Sequence, residues 1–288
     1  MTTTFQIGDM TIHRIVEAEM AMGPALQMLP GLTEEMLAEN RGWMQPKALT
    51  ENDFLIFCFQ SWVVRTPHHT IMIDSCIGNH KNVPRPTWNL KNDDVYMRNL
   101  AAHGLRVEDI DYVMCTHLHV DHVGWNTRLE NGVWVPTFPN ARYVFNHSEY
   151  DFWSAKNAAE PVGPMVESVL PIVAAGRADL VGNDFGIGDH VRLLPTPGHT
   201  PGHVAVQFGR GRDEAVMTGD IFHSPLQARY TNLSPAFDVD PVKSAVTRRA
   251  FLERYCDTDT LCCTVHFPSP SAMKVKRWGD GFQCEMVG

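Results

Sequence analysis

The stretch THLHVDH at residues 116–122 decides how this sequence is interpreted. It holds three histidines and one aspartate, and neutral imidazoles and carboxylates are ligands that suit Zn²⁺ and similar ions. The apolar run YVMC directly before it is typical of a buried strand, so we expect the ligands to lie in the loop that leaves the strand's carboxyl end. His117 and His119 can then converge on one ion, while Asp121 and His122 lie further round the turn and can face a second.

Four other predicted strands also lead into a histidine or an aspartate. A lone histidine after a strand is more often a hydrogen-bonded polar residue than a metal ligand. Four such strand ends together with the THLHVDH loop reverse that expectation and favour a shared metal site at the carboxyl ends of several strands. The four residues are Asp74 after TIMI, His199 after VRLLPTPG, Asp220 after AVMTG and His266 after LCCTV.

The composition is that of a folded, acidic protein. Of the 288 residues, 44% are hydrophobic and 20% are charged, which excludes a disordered chain. The 24 Lys and Arg residues are outnumbered by 33 Asp and Glu, which gives a net charge of −9. Such a chain is a poor non-specific partner for nucleic acid or an anionic membrane, so we expect a small-molecule substrate instead.

The cysteines and the N-terminal residues indicate the compartment. Seven cysteines are present without a CxxC pair, and several lie in apolar runs, as expected for buried free thiols in a reducing environment. The N-terminal residues have neither the basic nor the apolar region of a signal peptide, and no apolar run approaches the length of a membrane span. A cytoplasmic location is therefore expected.

Short strand-like segments and a few helices follow one another without a regular repeat, which favours a sheet-rich α/β fold in a single domain over residues 1–288. The last predicted helix has Asp240 as its N-cap and a proline at its first position. The predicted strands are 10–16, 54–66, 70–74, 112–116, 142–146, 191–195, 204–208, 215–218 and 260–265, and the predicted helices are 33–39, 92–103 and 241–255.

Residues 17–50 differ from the rest of the chain because they are rich in methionine, proline and leucine. One interpretation is core packing plus a connection. The other is a hydrophobic N-terminal arm or flap that lines a substrate pocket or forms the seam of a homodimer, because methionine-rich apolar surfaces adapt to varied partners. The sequence leaves both interpretations open.

Taken in order, Asp74, the HxHxDH motif at 117–122, His199, Asp220 and His266 resemble the metallo-β-lactamase fold superfamily, over residues from about 10 to 280. The resemblance implies an αββα sandwich, in which two packed mixed sheets carry helices outside and the site lies along one edge. It also implies a role for each residue. His117, His119 and His199 would bind a first metal ion, Asp121, His122 and His266 would bind a second, Asp220 would bridge both, and Asp74 would orient the histidine loop.

Departures from the pattern indicate which branch of the superfamily the sequence resembles. The β-lactam-cleaving members have Cys or Ser where this chain has Asp220, and the acidity and length of the chain disfavour the nuclease branch. The sequence is more similar to the branch that hydrolyses lactones, aryl esters and organophosphate triesters, through local features at 138–141, 218–223 and 237–240. Acyl-homoserine lactonases commonly have Tyr three residues after the bridging aspartate, whereas this chain has His223, as in the aryl-ester and organophosphate group.

The resemblance implies a dinuclear hydrolase with two divalent metal ions, Zn²⁺ first and Mn, Fe or Co as alternatives. A hydroxide bridging the ions would attack a lactone or ester carbonyl, with Asp121, Asp220 and His223 as catalytic residues. His223 would donate to the oxyanion or carry a proton, or else line the pocket or support a ligand. An aryl-ester or phosphotriester hydrolase is the first alternative. A mononuclear-iron oxidoreductase similar to persulfide dioxygenases is another, although it would not need the second site, and a non-catalytic binding module is the last.

Several side chains receive weaker assignments. His203 could support a ligand or shape its turn. Arg248 and Arg249 could bind an acidic substrate group, but a solvated helix face is the preferred interpretation. Core packing is likewise preferred to a pocket wall for four aromatic residues, Trp88, Trp125, Trp153 and Phe222.

Overall fold

The computed structural model describes residues 3–288, which form two compact units. Within the described residues, the first unit comprises residues 3–17 together with Phe59–Leu193, and the second comprises Ala18–Cys58 and Leu194–Gly288. The sixteen strands are β1 Thr4–Ile7, β2 Met10–Pro24, β3 Phe54–Arg65, β4 Thr70–Ile73, β5 Tyr112–Met114, β6 Thr127–Glu130, β7 Val133–Pro136, β8 Arg142–Asn146, β9 Ala178–Val181, β10 Gly186–Ile187, β11 Val191–Pro195, β12 Val204–Phe208, β13 Ala215–Met217, β14 Leu261–Cys263, β15 Ala272–Trp278 and β16 Gly281–Val287.

The α-helices are short except for three of them, and their caps follow the sequence. Thr33 accepts a hydrogen bond from the Met36 N–H at the start of α2, and Asp240 accepts one from the Lys243 N–H at the start of α8, as predicted for that helix. The helices are α1 Ala25–Met28, α2 Glu34–Met44, α3 Val95–Ala102, α4 Val120–Val123, α5 His147–Ala159, α6 Leu170–Ala174, α7 Leu226–Arg229 and α8 Pro241–Tyr255, and a π-helical turn, Met165–Val169, precedes α6.

One seven-stranded sheet has the order β1-β2-β3-β4-β5-β8-β9. Strands β4, β5, β8 and β9 are parallel, so their carboxyl ends share one edge of the sheet. Asp74 follows β4 and the THLHVDH loop follows β5, which brings both to that edge. Buried side chains such as Val113, Tyr143 and Phe145 form the core beside these strands.

The other seven-stranded sheet has the order β10-β11-β12-β13-β14-β15-β16. Only β13 and β14 form a parallel pair among the pairings recorded for residues 3–288 in this sheet, and Asp220 and His266 follow those two strands. A core that includes Val216, Phe251, Cys262 and Phe282 packs on it. Two large mixed sheets with helices confirm the predicted fold class.

The predicted segments recover most elements around the site, with differences elsewhere. Strands β3, β8, β11 and β12 and helix α8 begin and end within one residue of their predicted bounds. Residues 17–50 are more regular than expected, because β2 continues to Pro24 and two helices follow. The C-terminal hairpin β15–β16 was not predicted. No helix within residues 3–288 is long and apolar enough to span a membrane.

Candidate metal centre

Four potential ligands of the THLHVDH loop and the supporting carboxylate of Asp74 form one cluster, called here the motif cluster: Asp74, His117, His119, Asp121 and His122. The loop leaves β5 and turns into the short helix α4. His117 Nε2 lies 2.9 Å from His119 Nδ1, and the rings of His117 and His122 have centroids 4.0 Å apart. His122 Nε2 lies 3.9 Å from Asp121 Oδ1. The structure therefore brings the side chains of this loop close together, while their division between two ions stays a prediction.

Asp74 fixes the loop from the neighbouring strand. Its buried carboxylate accepts hydrogen bonds from the Thr116 N–H at 2.8 Å, the Thr116 hydroxyl at 2.9 Å and His122 Nδ1 at 2.9 Å. The Thr116 oxygen also lies 3.1 Å from His117 Nδ1. With both Nδ1 atoms held as donors, Nε2 is the ring nitrogen through which His117 and His122 could bind a metal.

Two further contacts hold the motif cluster, and neither was foreseen from the sequence. The buried Glu149 accepts from the Leu118 N–H at 3.2 Å and from the Trp153 indole at 2.7 Å, and the Trp153 ring meets His119 edge-on at 5.3 Å. Gly124 ends the loop, and a Cβ there would lie 1.8 Å from the Ile77 carbonyl oxygen, so only glycine fits. The sequence shows Glu149 as an acidic residue in the first turn of α5. It does not show that this side chain points towards the Leu118 N–H.

A second group of polar side chains lies around Asp220 and is called here the carboxylate cluster: His199, Asp220, His223 and His266. Asp220 lies 3.2 Å from His199 Nε2, 3.0 Å from His223 Nε2 and 3.1 Å from His266 Nε2. All four side chains are buried. One ligand atom each of Asp220, His223 and His266 lies within 4.8 Å of the others. Three imidazoles thus aim the same nitrogen at one carboxylate.

The backs of these side chains are also held. His199 Nδ1 donates to Asp238 at 2.8 Å, and His266 Nδ1 donates to the Cys58 carbonyl at 3.0 Å. His203, whose role the sequence left open, accepts the Asp220 N–H at 2.9 Å and lies 2.8 Å from the Thr196 hydroxyl. It therefore supports the ligand and shapes the turn at once.

Burial and charge move the two imidazole pKa values in opposite directions. Burial lowers the pKa of His199, but Asp220 and Asp238 outweigh it and raise the pKa to about 9. For His223, burial dominates over the attraction of Asp220 and lowers the pKa to about 4. His223 is consequently neutral at pH 7, and its Nε2 donates to Asp220. This favours hydrogen-bond donation over proton transfer as its task.

The donor sets fit divalent ions such as zinc. In both clusters imidazole nitrogens and carboxylate oxygens meet where protein partners fix the opposite ring nitrogen, which is the usual support of a metal-bound histidine. No thiol belongs to either cluster, so the ligands are the nitrogen and oxygen donors that Zn²⁺, Mn²⁺, Fe²⁺ and Co²⁺ share.

The aromatic residues and arginines named from the sequence lie in different environments in the structure. Phe222 is core, and Trp125 stacks on Tyr96, as the preferred interpretation held. Trp153 instead reaches His119. The prediction of a solvated Arg248 is wrong, because its side chain is fully buried, whereas that of Arg249 is 49% exposed. Charge alone could not separate them, since the two are neighbours on α8.

Comparison with known proteins identifies the family. The sequence pattern of the Metallo-beta-lactamase superfamily matches residues 60–266, most of the chain, so the protein belongs to that superfamily. An N-acyl homoserine lactonase from Bacillus sp is 30% identical over 161 residues, covering 55% of this chain and 57% of the relative. The probable metallo-hydrolase YybB of Bacillus subtilis (strain 168) is 24% identical over 56% of this chain and 77% of its own length.

Solved structures share the fold over the full chain. The hydrolase AbOPH in the beta lactamase superfamily aligns with a TM-score of 0.83 at 24% identity, covering 100% of this chain and 97% of its own. AidC, a dizinc quorum-quenching lactonase in complex with a product, aligns with a TM-score of 0.80 at 20% identity and the same coverage. The chain spans about half the length of the curated lactonases that it matches in sequence.

Proposed function

We propose that this protein is a metal-dependent hydrolase that opens a lactone or ester bond at a two-metal centre. The observation that carries the proposal is the buried Asp220 carboxylate, on which three imidazole Nε2 atoms converge from three segments of the chain. A carboxylate with nitrogen ligands on both sides suits a bridge between two ions. Membership of the superfamily supports the same interpretation.

The assignment of ligands follows the resemblance of the motifs, and we propose that both clusters act on one pair of ions. His117, His119 and His199 would hold the first ion, Asp121, His122 and His266 the second, and Asp220 both. When bound, two such ions supply hydroxide near neutral pH and polarise a carbonyl group. Zn²⁺ is the proposed metal, and the donor set also suits Mn, Fe or Co.

His223 is the proposed catalytic residue that is not a ligand. Its neutral ring donates from Nε2 to Asp220, and its buried Nδ1 has no hydrogen-bond partner among the residues that the structure describes. The Nε2–H can then exchange its acceptor: it can donate to the oxyanion that develops on an ester carbonyl instead of to Asp220. Asp121 and Asp220 would contribute to catalysis through the ions they hold.

Apolar rings beside His223 support a substrate with a hydrophobic part. Phe57 lies 5.7 Å from the His223 ring and stacks on His266 at 5.3 Å. Phe237 meets His223 edge-on at 4.9 Å and is 44% exposed, so it offers an apolar surface to solvent beside the cluster. We propose lactones as first substrates, on the strength of the lactonase relatives, and aryl esters or phosphotriesters second.

Three expectations from the sequence stay predictions. They are the single-domain organisation of residues 1–288, the role of 17–50 as a flap or homodimer arm, and the cytoplasmic location. An oxidoreductase with one iron is disfavoured, because Asp121, His122 and His266 are all present and it would not need them.

The proposal is tested by metal analysis combined with a hydrolysis screen on the same preparation. We expect two zinc-like ions per chain, hydrolysis of lactones above aryl esters and phosphotriesters, loss of activity with a strong chelator, and recovery with Zn²⁺, Co²⁺ or Mn²⁺. Full activity in metal-free protein, or one iron per chain with no hydrolysis, would contradict the proposal.

A further inference from the structure

The loop before α8 contacts the metal-ligand candidate His199 through both backbone and side chain. The Val239 N–H donates to the His199 carbonyl at 3.0 Å, and the Asp240 N–H donates to the Gly198 carbonyl at 2.9 Å. Between them, Asp238 accepts from His199 Nδ1 at 2.8 Å. Two hydrogen bonds of His199 and one of Gly198 therefore fix this turn to one loop.

The close approach of the two segments depends on a glycine. Gly198 has a φ of 139°, and a Cβ on it would lie 2.3 Å from the backbone nitrogen of Ser244 in α8. Any larger residue would push the His199 turn away from α8, and with it from Asp238. The sequence thus keeps the histidine and the aspartate in a fixed relation.

Arg248 lies behind Asp238 and has no exposure to solvent. Its Nη2 is 3.7 Å from Asp238 Oδ2, with the carboxylate itself fully buried. The guanidinium also donates to the carbonyls of Ile221 at 2.8 Å and Leu233 at 2.7 Å, and to the Ser244 hydroxyl at 3.0 Å. A planar group with five donors is held here by oxygen atoms on several sides, so it cannot move away from Asp238.

The position of Ile221 gives this arginine a second connection. Ile221 directly follows Asp220, so one guanidinium reaches the backbone next to one proposed ligand and the carboxylate behind another. A buried carboxylate needs compensating charge, and Asp238 has two basic groups beside it, His199 Nδ1 at 2.8 Å and Arg248 Nη2 at 3.7 Å.

We propose that Asp238 and Arg248 are positioning residues that set the metal affinity of His199. Asp238 fixes the tautomer of the imidazole, so that the Nε2 lone pair faces the ion, and Arg248, which donates to the Ile221 and Leu233 carbonyls, keeps the Asp238 carboxylate in place. This inference rests on the proposed two-metal centre and adds to it a pair of residues that touch neither metal nor substrate.

The test measures zinc affinity rather than activity. Asp238→Ala, Asp238→Asn and Arg248→Met are titrated with zinc buffers, with the metal content read by mass spectrometry. Arg249→Ala is the matched control. This neighbour of Arg248 on α8 is half exposed, and its recorded ion pair is with Glu253, at 3.0 Å. Thermal unfolding of each metal-free protein checks that the fold is retained, and visible spectra of the Co²⁺ forms report on ligand geometry.

We expect Asp238→Ala to weaken one of the two zinc sites by about 10- to 100-fold and leave the other within a few-fold. Asp238→Asn should fall between it and the wild type, because an amide oxygen still accepts from Nδ1. Arg248→Met should weaken the same site, and the double variant should be no worse than Asp238→Ala alone. The Co²⁺ spectrum should change for one ion, and Arg249→Ala should match the wild type.

The outcomes separate this inference from the proposed function. A wild type with two ions, together with a folded Asp238→Asn of unchanged affinity and spectrum, overturns the inference and leaves the hydrolase intact. Equal weakening of both sites with a lower unfolding temperature also overturns it, since that is a general structural effect. A wild type without metal overturns the proposed function and the inference with it.

Discussion

The motif cluster and the carboxylate cluster contain the same kinds of potential metal ligand, but their residues come from the chain in different ways. Four of the five residues in the motif cluster come from one seven-residue stretch, and Asp74 joins from the adjacent parallel strand. The carboxylate cluster draws His199, Asp220 with His223, and His266 from three separate segments. A local cluster needs only one loop to be correct, whereas a dispersed one needs several strand ends to meet.

The support of the two clusters differs in the same way. One carboxylate, Asp74, holds both the backbone and His122 in the motif cluster. In the carboxylate cluster His199 and His266 have separate supports, Asp238 and the Cys58 carbonyl. Damage to the support should therefore spread through the motif cluster but stay at one ligand in the carboxylate cluster.

The largest effect on metal binding and activity is expected for Asp220, at the centre of the carboxylate cluster. Asp220→Ala removes the group that all three imidazoles approach, so both ions should be lost and kcat/KM should fall by more than about 10³-fold. Metal analysis and turnover on the same sample measure this. The control is Asp259→Ala, whose carboxylate is 100% exposed and pairs with Lys274. Two retained ions with near-normal turnover would show that Asp220 is not a bridge.

The same contrast explains what the sequence could predict. The HxHxDH spacing and the polar residues at the strand ends were visible, because strand ends carry their own apolar signature. Asp238 and Glu149 were not assigned and Arg248 was assigned wrongly, since their partners lie outside their own helix or turn and only packing brings them together. Arg248 and Arg249 look alike in the chain and differ only in the face of α8 they occupy.

The fold shows a similar division. Strands near the site were recovered because buried β-branched runs are distinctive. Hairpin β15–β16 was missed although its turn, Gly279-Asp280, lies between alternating side chains, which is a hairpin signal. Helix α2 was predicted over 33–39 but extends to Met44, where the buried side chains of Leu37 and Met44 pack.

A second experiment tests whether damage spreads in the motif cluster. Asp74→Ala leaves the Thr116 N–H, the Thr116 hydroxyl and His122 Nδ1 without their acceptor, all of them buried. We expect the free energy of unfolding to fall by about 3 kcal/mol and metal affinity to fall about 100-fold. Denaturant unfolding of the metal-free protein and zinc titration measure the two effects.

The matched comparison is Asp238→Ala, which removes the support of His199 in the carboxylate cluster. Its free energy of unfolding should change less than that of Asp74→Ala, and only one ion should be affected. If Asp74→Ala weakened a single site while stability stayed at the wild-type value, the idea of a shared support in the motif cluster would be wrong.

The smallest effect on the site is expected at His223, because both metal ions should be retained. His223→Ala removes the Nε2–H beside Asp220 and should lower kcat by about 10²-fold with both ions retained, the size of one oxyanion contact. His223→Tyr supplies a hydroxyl donor and should keep more activity on lactones than on aryl esters. Steady-state kinetics with metal analysis measure both variants.

The pH profile separates hydrogen-bond donation from proton transfer at this residue. Burial lowers the pKa of His223 to about 4, so the ring is neutral throughout the range from about pH 5 to 8, whereas a free imidazole titrates near 6.5. Nearby cations can only lower that pKa further. The pH dependence of kcat between about pH 5 and 8 should therefore have the same shape in the wild type and in His223→Ala. A limb of the wild-type profile that disappears in His223→Ala would make His223 a proton carrier, and loss of metal in His223→Ala would make it a support for Asp220 instead.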